Sequence, residues 1–236
     1  MRDRLRVVAP PPRLGFWYSH GYILQAADRA VTYCKTYPVE STAQLEKVLG
    51  EGRAAATLAM SMAKLKGLDV WVRLVDPAQQ APDAEVMYLG QTGKHQTMEL
   101  LGVEVASYTK HSSEPLGEFI LRTKLNKHHA YGEHTAIVIY VQRTIDVHQV
   151  SEAHEGIIGA GVPALVFLVG QADEDLFQVQ TIYPQLSGRV DVRVSDALGT
   201  AQRQVLEVSR GMSKDILASE SPEWTDNPFL AYFKDA

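Results

Sequence analysis

The sequence predicts an α/β fold with a central mixed sheet flanked by helices, and three observations carry that reading. Apolar residues recur with helical period after Ser41, strand-like runs follow over residues 69–109, and a continuous apolar run spans Thr135 to Val141. Composition agrees: of 236 residues, 45% are hydrophobic and 22% charged, which excludes disordered and collagen-like chains. A chain of this length buries on the order of 70% of its unfolded surface.

Residues 1–40 read as an irregular N-terminal segment. Pro10-Pro11-Pro12 favours polyproline II, and Gly15-Phe16-Trp17-Tyr18 is an aromatic cluster. Tyr22 to Cys34 fits either a short helix or a strand. Ser41-Thr-Ala-Gln44 has capping-box spacing, and Leu45, Val48, Leu49, Ala55, Ala56, Ala59, Met62 and Ala63 follow at helical period. Gly50 and Gly52 each weaken that helix by roughly 1 kcal/mol relative to alanine. Lys64, Lys66 and Gly67 suit its C-terminal end.

Asp69–Val75, Glu85–Leu89 and Gly102–Thr109 read as strands, broken by Pro77, Pro82 and Gly90. Ser113-Glu114-Pro115 opens a helix to about His129. Thr135–Val141 is the type of strand buried on both faces of a sheet. Residues 41–141 therefore read as one αβββαβ unit. Over 142–215 the expected order is helix (Val147–Ile158), strand (Pro163–Val169), helix (Asp175–Leu186), strand (Val190–Val194) and helix (Leu198–Met212). These are parallel βα units extending the same sheet. Residues 216–236 form an aromatic tail with Trp224, Phe229, Tyr232 and Phe233.

Several function classes drop out. No apolar run approaches the roughly 18–20 residues of a membrane span. The basic start is followed only by Val7-Val8-Ala9, which is not a secretory signal. Cys34 is the only cysteine, so no internal disulfide or cysteine zinc site forms. The expectation is a soluble, cytoplasmic protein. Net charge is −5, so any nucleic-acid site must be a local basic patch. No Walker loop, GxSxG elbow or kinase signature is present.

Three acids carry the chemistry. Glu51 lies on the apolar side of its helix, with Ala55, Leu58, Ala59 and Met62 on the same face. A carboxylate there requires a partner or an ion. Asp83 follows Pro82 at the start of the second strand, and Glu104 sits within the third. Acids converging from a helix and two adjacent strands make an oxygen-rich cage suited to Mg²⁺ or Mn²⁺.

The element order, with Glu51 on the helix, Pro82-Asp83 at the second strand and Glu104-Val105-Ala106 on the third, resembles the PD-(D/E)XK nuclease superfamily over residues 41–141. The resemblance implies a restriction-endonuclease-like core and a metal-dependent phosphodiester hydrolase acting on DNA, or a degenerate relative that binds DNA without cutting. It implies Asp83 and Glu104 as metal ligands, with Glu51 in support. Ala106 stands where the family has its lysine. The implied substitute comes from the next helix, Lys124 or Lys127, while Lys110 lies too far along the strand to serve. Arg122, Lys124 and Lys127, with Lys110 behind them, would meet the phosphates.

Two other classes compete with that reading. The aromatic segments Phe16–Tyr18 and Trp224–Phe233 could join copies into a homodimer or dock a partner in a non-catalytic protein. A small-molecule enzyme would instead use the ends of strands at Tyr140, Val169 and Val194, near Gly170, Gln171, Ser195, Asp196 and Arg143.

Overall fold

The computed structural model describes residues 15–36, 43–75, 82–92, 95–125, 134–160, 164–196, 205–209 and 212–216. The chain is mixed α/β. In chain order the elements are β1 (Gly15–Ser19), α1 (His20–Thr36), α2 (Ala43–Lys66), β2 (Asp69–Leu74), β3 (Ala84–Thr92), β4 (His95–Tyr108) and α3 (Leu116–Ile120). A π-helical turn (Leu121–Leu125) follows, then β5 (Thr135–Val141), α4 (Val147–Ala160), β6 (Leu165–Gln171), β7 (Leu176–Tyr183), β8 (Val190–Arg193), β9 (Val205–Ser209) and β10 (Met212–Ile216). The strands form one sheet in the order β10-β9-β1-β2-β3-β4-β5-β6-β7-β8.

Helix α2 forms because its alanine-rich sequence has high helical propensity and presents Leu45, Val48, Ala55, Leu58 and Ala59 as a buried stripe. It runs unbroken through Gly50 and Gly52. It stops at Gly67, whose φ of 61° lets its amide donate back to the Ala63 carbonyl at 2.8 Å. Ser41 lies outside the described residues.

Period-two alternation splits the core into layers. Val70, Val72, Val86, Val103 and Val105 face α1 and α2 in one cluster. Tyr108, Ile137, Ile139 and Leu168 face α3 and α4 in another. Among the described strands, only β4–β5 and β5–β6 pair in parallel. Their two connections run through α3 and α4, both packed into that second cluster.

Four sequence expectations need correction. The segment before residue 40 contains β1 and α1, and Trp17 is fully buried with Trp71, Met87 and Leu206. Trp17 is therefore interior and not an adhesive surface. The tail Trp224–Phe233 lies outside the described residues. The expected helix Asp175–Leu186 is strand β7. There Phe177 and Val179 are buried on the α2 face, Gln178 and Gln180 face the other way, and Ile182 is buried further along on that second face, while Asp173 Oδ1 accepts the Asp175 and Leu176 amides in a tight turn. The expected helix Leu198–Met212 gives way to β9, with β10 beyond it, and both join the opposite end of the sheet beside β1. As a result β7 and β8 extend the sheet as antiparallel strands rather than parallel βα units.

Helix α3 depends on a close approach. A Cβ on Gly117 would come within 3.2 Å of the Ala153 Cα on α4. Gly117→Leu should therefore push the two helices apart and lower stability by about 2 kcal/mol, read from urea unfolding. An unchanged midpoint would show that the α3–α4 contact yields freely.

Candidate active site

The site begins with strand register. Ala84 stands opposite Val103, so Asp83, just before β3, falls across from Glu104. The Asp83 Oδ2 accepts the Val105 backbone N–H at 2.8 Å, which fixes the carboxylate at the end of the ladder. On β4, Val103 and Val105 belong to the cluster beneath α2, while Ala106 and Tyr108 pack on the α3 side. Alternation therefore turns Glu104 toward α3.

From that side comes Lys124. The apolar residues Leu116, Phe119 and Ile120 anchor α3 on the sheet, and the chain then opens into the π-helical turn that carries Lys124. Its Nζ donates to Glu104 Oε2 at 2.9 Å and approaches Asp83 Oδ2 at 3.5 Å. The three side chains are mostly buried, at 9% exposure for Glu104, 14% for Lys124 and 19% for Asp83. Glu104 Oε1 is buried and accepts no hydrogen bond among the described residues. The ammonium thus occupies the face where Ala106 offers no charge.

Glu51 approaches from α2. It is buried, and its nearest ion pair is Lys47 one turn earlier, at 3.4 Å. Burial, reinforced by the negative charge of Asp83, pushes its carboxyl up to about 7, against the opposing pull of Lys47 and Lys124. Glu51 therefore feels the Asp83–Lys124 pair electrostatically. The pairing with Lys47, which the sequence reading passed over, was legible as an i,i+4 lysine–glutamate spacing.

Among the described residues, no three His, Cys, Asp or Glu side chains stand close enough to ligate one ion as they are. The donor pair is Asp83 with Glu104, and the unbonded Glu104 Oε1 supplies a free acceptor. Two carboxylates, with water and substrate oxygens completing the shell, suit the way Mg²⁺ is usually held.

The remaining predicted residues disperse. Arg122 is exposed and forms an ion pair with Glu114, its Nε donating to Glu114 Oε2 at 2.9 Å. Lys110 lies exposed in the turn after β4, away from Glu104. Lys127 lies outside the described residues. Near the strand ends named above, Gly170, Gln171 and Arg143 do line one cleft. Ser195, in contrast, is tied to Asp175 through its backbone and its hydroxyl. Against known proteins, the chain matches no described family, no curated protein and no solved structure.

The Glu51 shift has a sign that can be checked. A carboxyl whose folded pKa lies above its unfolded value near 4.5 holds a proton that the unfolded chain releases. Its stabilising effect is complete at acid pH and is lost as pH rises through the window from 4.5 to about 7. In EDTA, Glu51→Gln should flatten the fall in stability across that window and leave the variant more stable than wild type above it. Urea titrations of both proteins at each pH would show this, and parallel pH curves would contradict it.

Proposed function

We propose that the protein is a metal-dependent phosphodiester hydrolase acting on DNA, with Asp83, Glu104 and Lys124 as its central residues. One observation carries the reading: a lysine delivered by the helix after β4 stands against the two carboxylates of adjacent strands. That juxtaposition supplies the acid–acid–lysine chemistry that the PD-(D/E)XK resemblance implies, with Lys124 replacing the side chain absent at Ala106.

In this reading Asp83 and Glu104 would hold Mg²⁺ or Mn²⁺, with Glu51 behind them. Such an ion polarises a phosphodiester oxygen and makes a bound water more acidic. The chain's own residues do the rest. Asp83, clamped by the Val105 amide, presents a fixed carboxylate, so little reorganisation is needed when substrate arrives. Lys124 orients an attacking water by hydrogen bonding and offsets the negative charge that builds on the phosphate. Hydrolysis adds water across one P–O ester bond, and the leaving oxygen departs with a proton. Arg122, largely exposed beyond Lys124, would contact the flanking backbone while sharing its charge with Glu114.

The test is cleavage of supercoiled DNA with Mg²⁺ and with Mn²⁺. Asp83→Ala, Glu104→Ala and Lys124→Ala should each lower the rate by at least about a hundredfold. Binding of the same DNA in gel shifts should weaken far less than cleavage in the Lys124 variant, because a single cation supplies a small share of phosphate neutralisation. An inert wild type, or variants that cut as fast as wild type, would overturn the hydrolase assignment.

A further inference from the structure

A second site lies beyond the candidate active site, at the far ends of β5 and β6. The sheet face covered by α4 is left open there, between the loop after β5 and the turn joining β6 to β7. The resulting cleft has a volume of about 810 Å³, within the range of small-molecule sites. Its floor is a four-residue patch of cross-strand pairs, Leu168 opposite Gln180 and Gly170 opposite Gln178.

Three features of this cleft point to one ligand chemistry. First, Gly170 presents no side chain, and a Cβ there would meet nothing closer than Val141 at 3.9 Å. The missing side chain leaves a flat strip beside Leu168, of the kind a planar ring can lie on. Second, polar edges flank that strip. Gln180 donates its amide to the Ser187 carbonyl at 2.8 Å, and its carboxamide oxygen takes no bond among the described residues. Third, two arginines line the cleft, Arg143 from the loop after β5 and Arg189 from the loop before β8. Arg143 is held in place, with Nη1 donating to the Ser112 carbonyl at 2.9 Å and the group lying 5.2 Å from the Tyr108 ring centre. Arg189 is steadied by Gln178, which accepts from its Nη1 at 3.5 Å and itself donates to Asp191. The carboxylate that lines the cleft, Asp173, has Oδ1 engaged by two backbone amides of its own turn.

We propose that this cleft binds a phosphorylated nucleoside. The base lies on the Gly170–Leu168 strip with its edge toward Gln180, and the phosphate is held by Arg143 and Arg189, whose planar donors match phosphate oxygens. The nucleoside is either a free mononucleotide or one unit of a single strand. The assignment is independent of the hydrolase reading, because none of Asp83, Glu104 or Lys124 lines the cleft.

Isothermal titration of the full chain with AMP, with a dodecamer of deoxythymidylate and with inorganic phosphate tests it. Saturable binding of AMP, tighter than phosphate by about tenfold or more, is expected. Gly170→Leu should abolish it by filling the strip. Arg143→Ala and Arg189→Ala, both at exposed positions, should each weaken it by about tenfold. Asp83→Ala should leave it unchanged. Oligonucleotide binding that Gly170→Leu also abolishes would identify the strand as a source, and AMP binding alone would identify the free nucleotide. The proposal falls if neither AMP nor the oligonucleotide saturates, if phosphate binds as tightly as either, or if the two arginine variants bind as wild type does.

Discussion

One part-buried ammonium, that of Lys124, ties three elements of the fold together. Lys124 faces Glu104 and Asp83, and all three side chains are mostly withdrawn from water. Charges removed from water are costly unless each finds its counterpart at good geometry. Meeting that requirement constrains three separate elements. The β3–β4 register must place Asp83 across from Glu104. Helix α3 must seat Leu116, Phe119 and Ile120 on the sheet. The π-helical turn must then carry Lys124 back over the strands. A slip of one residue in β4 would send Glu104 to the α2 face and separate the pair.

Much of this arrangement was legible residue by residue. Glu51 declared its burial through the apolar positions that share its helical face, and the turn at Pro82 placed Asp83 at a strand start. The lysine could not be read from spacing alone, because its position depends on a π-helical turn that no periodicity announces. Strand β7 was misread for a different reason. Its alternation of Phe177 and Val179 with Gln178 and Gln180 has strand period, but the pattern is short and slips at Thr181–Ile182, where the ladder with β6 shifts register. The pairing of β1 with β9 was hidden because nothing local in Gly15–Ser19 names a partner near residue 208.

The two faces of the sheet do different work. Helix α2 crosses one face from β2 to β8, and a second cavity, of about 630 Å³, opens on that face beside its Ser61–Lys66 end. On the other, α3 and α4 cover β4 to β6, but α4 starts only at Val147 and reaches β7 through His154, which bonds the Ile182 carbonyl. The ends of β5 and β6 are left bare as a result. Polar side chains on β7 then face open space where an apolar strand would face a helix. Uncovered strand ends are where α/β sheets tend to hold ligands, because the layers part there and loops supply polar groups.

Strand β1 sits between β2 and β9, with Gly15 aligned to Val208. A ribosome therefore releases β1 long before its outer neighbour exists. Throughout synthesis that flank carries unpaired amides and carbonyls beside the aromatic Trp17, a template for pairing with another nascent copy. Strands β9 and β10 act as a closing clasp, and a chain that stalls before them would be left with a raw seam.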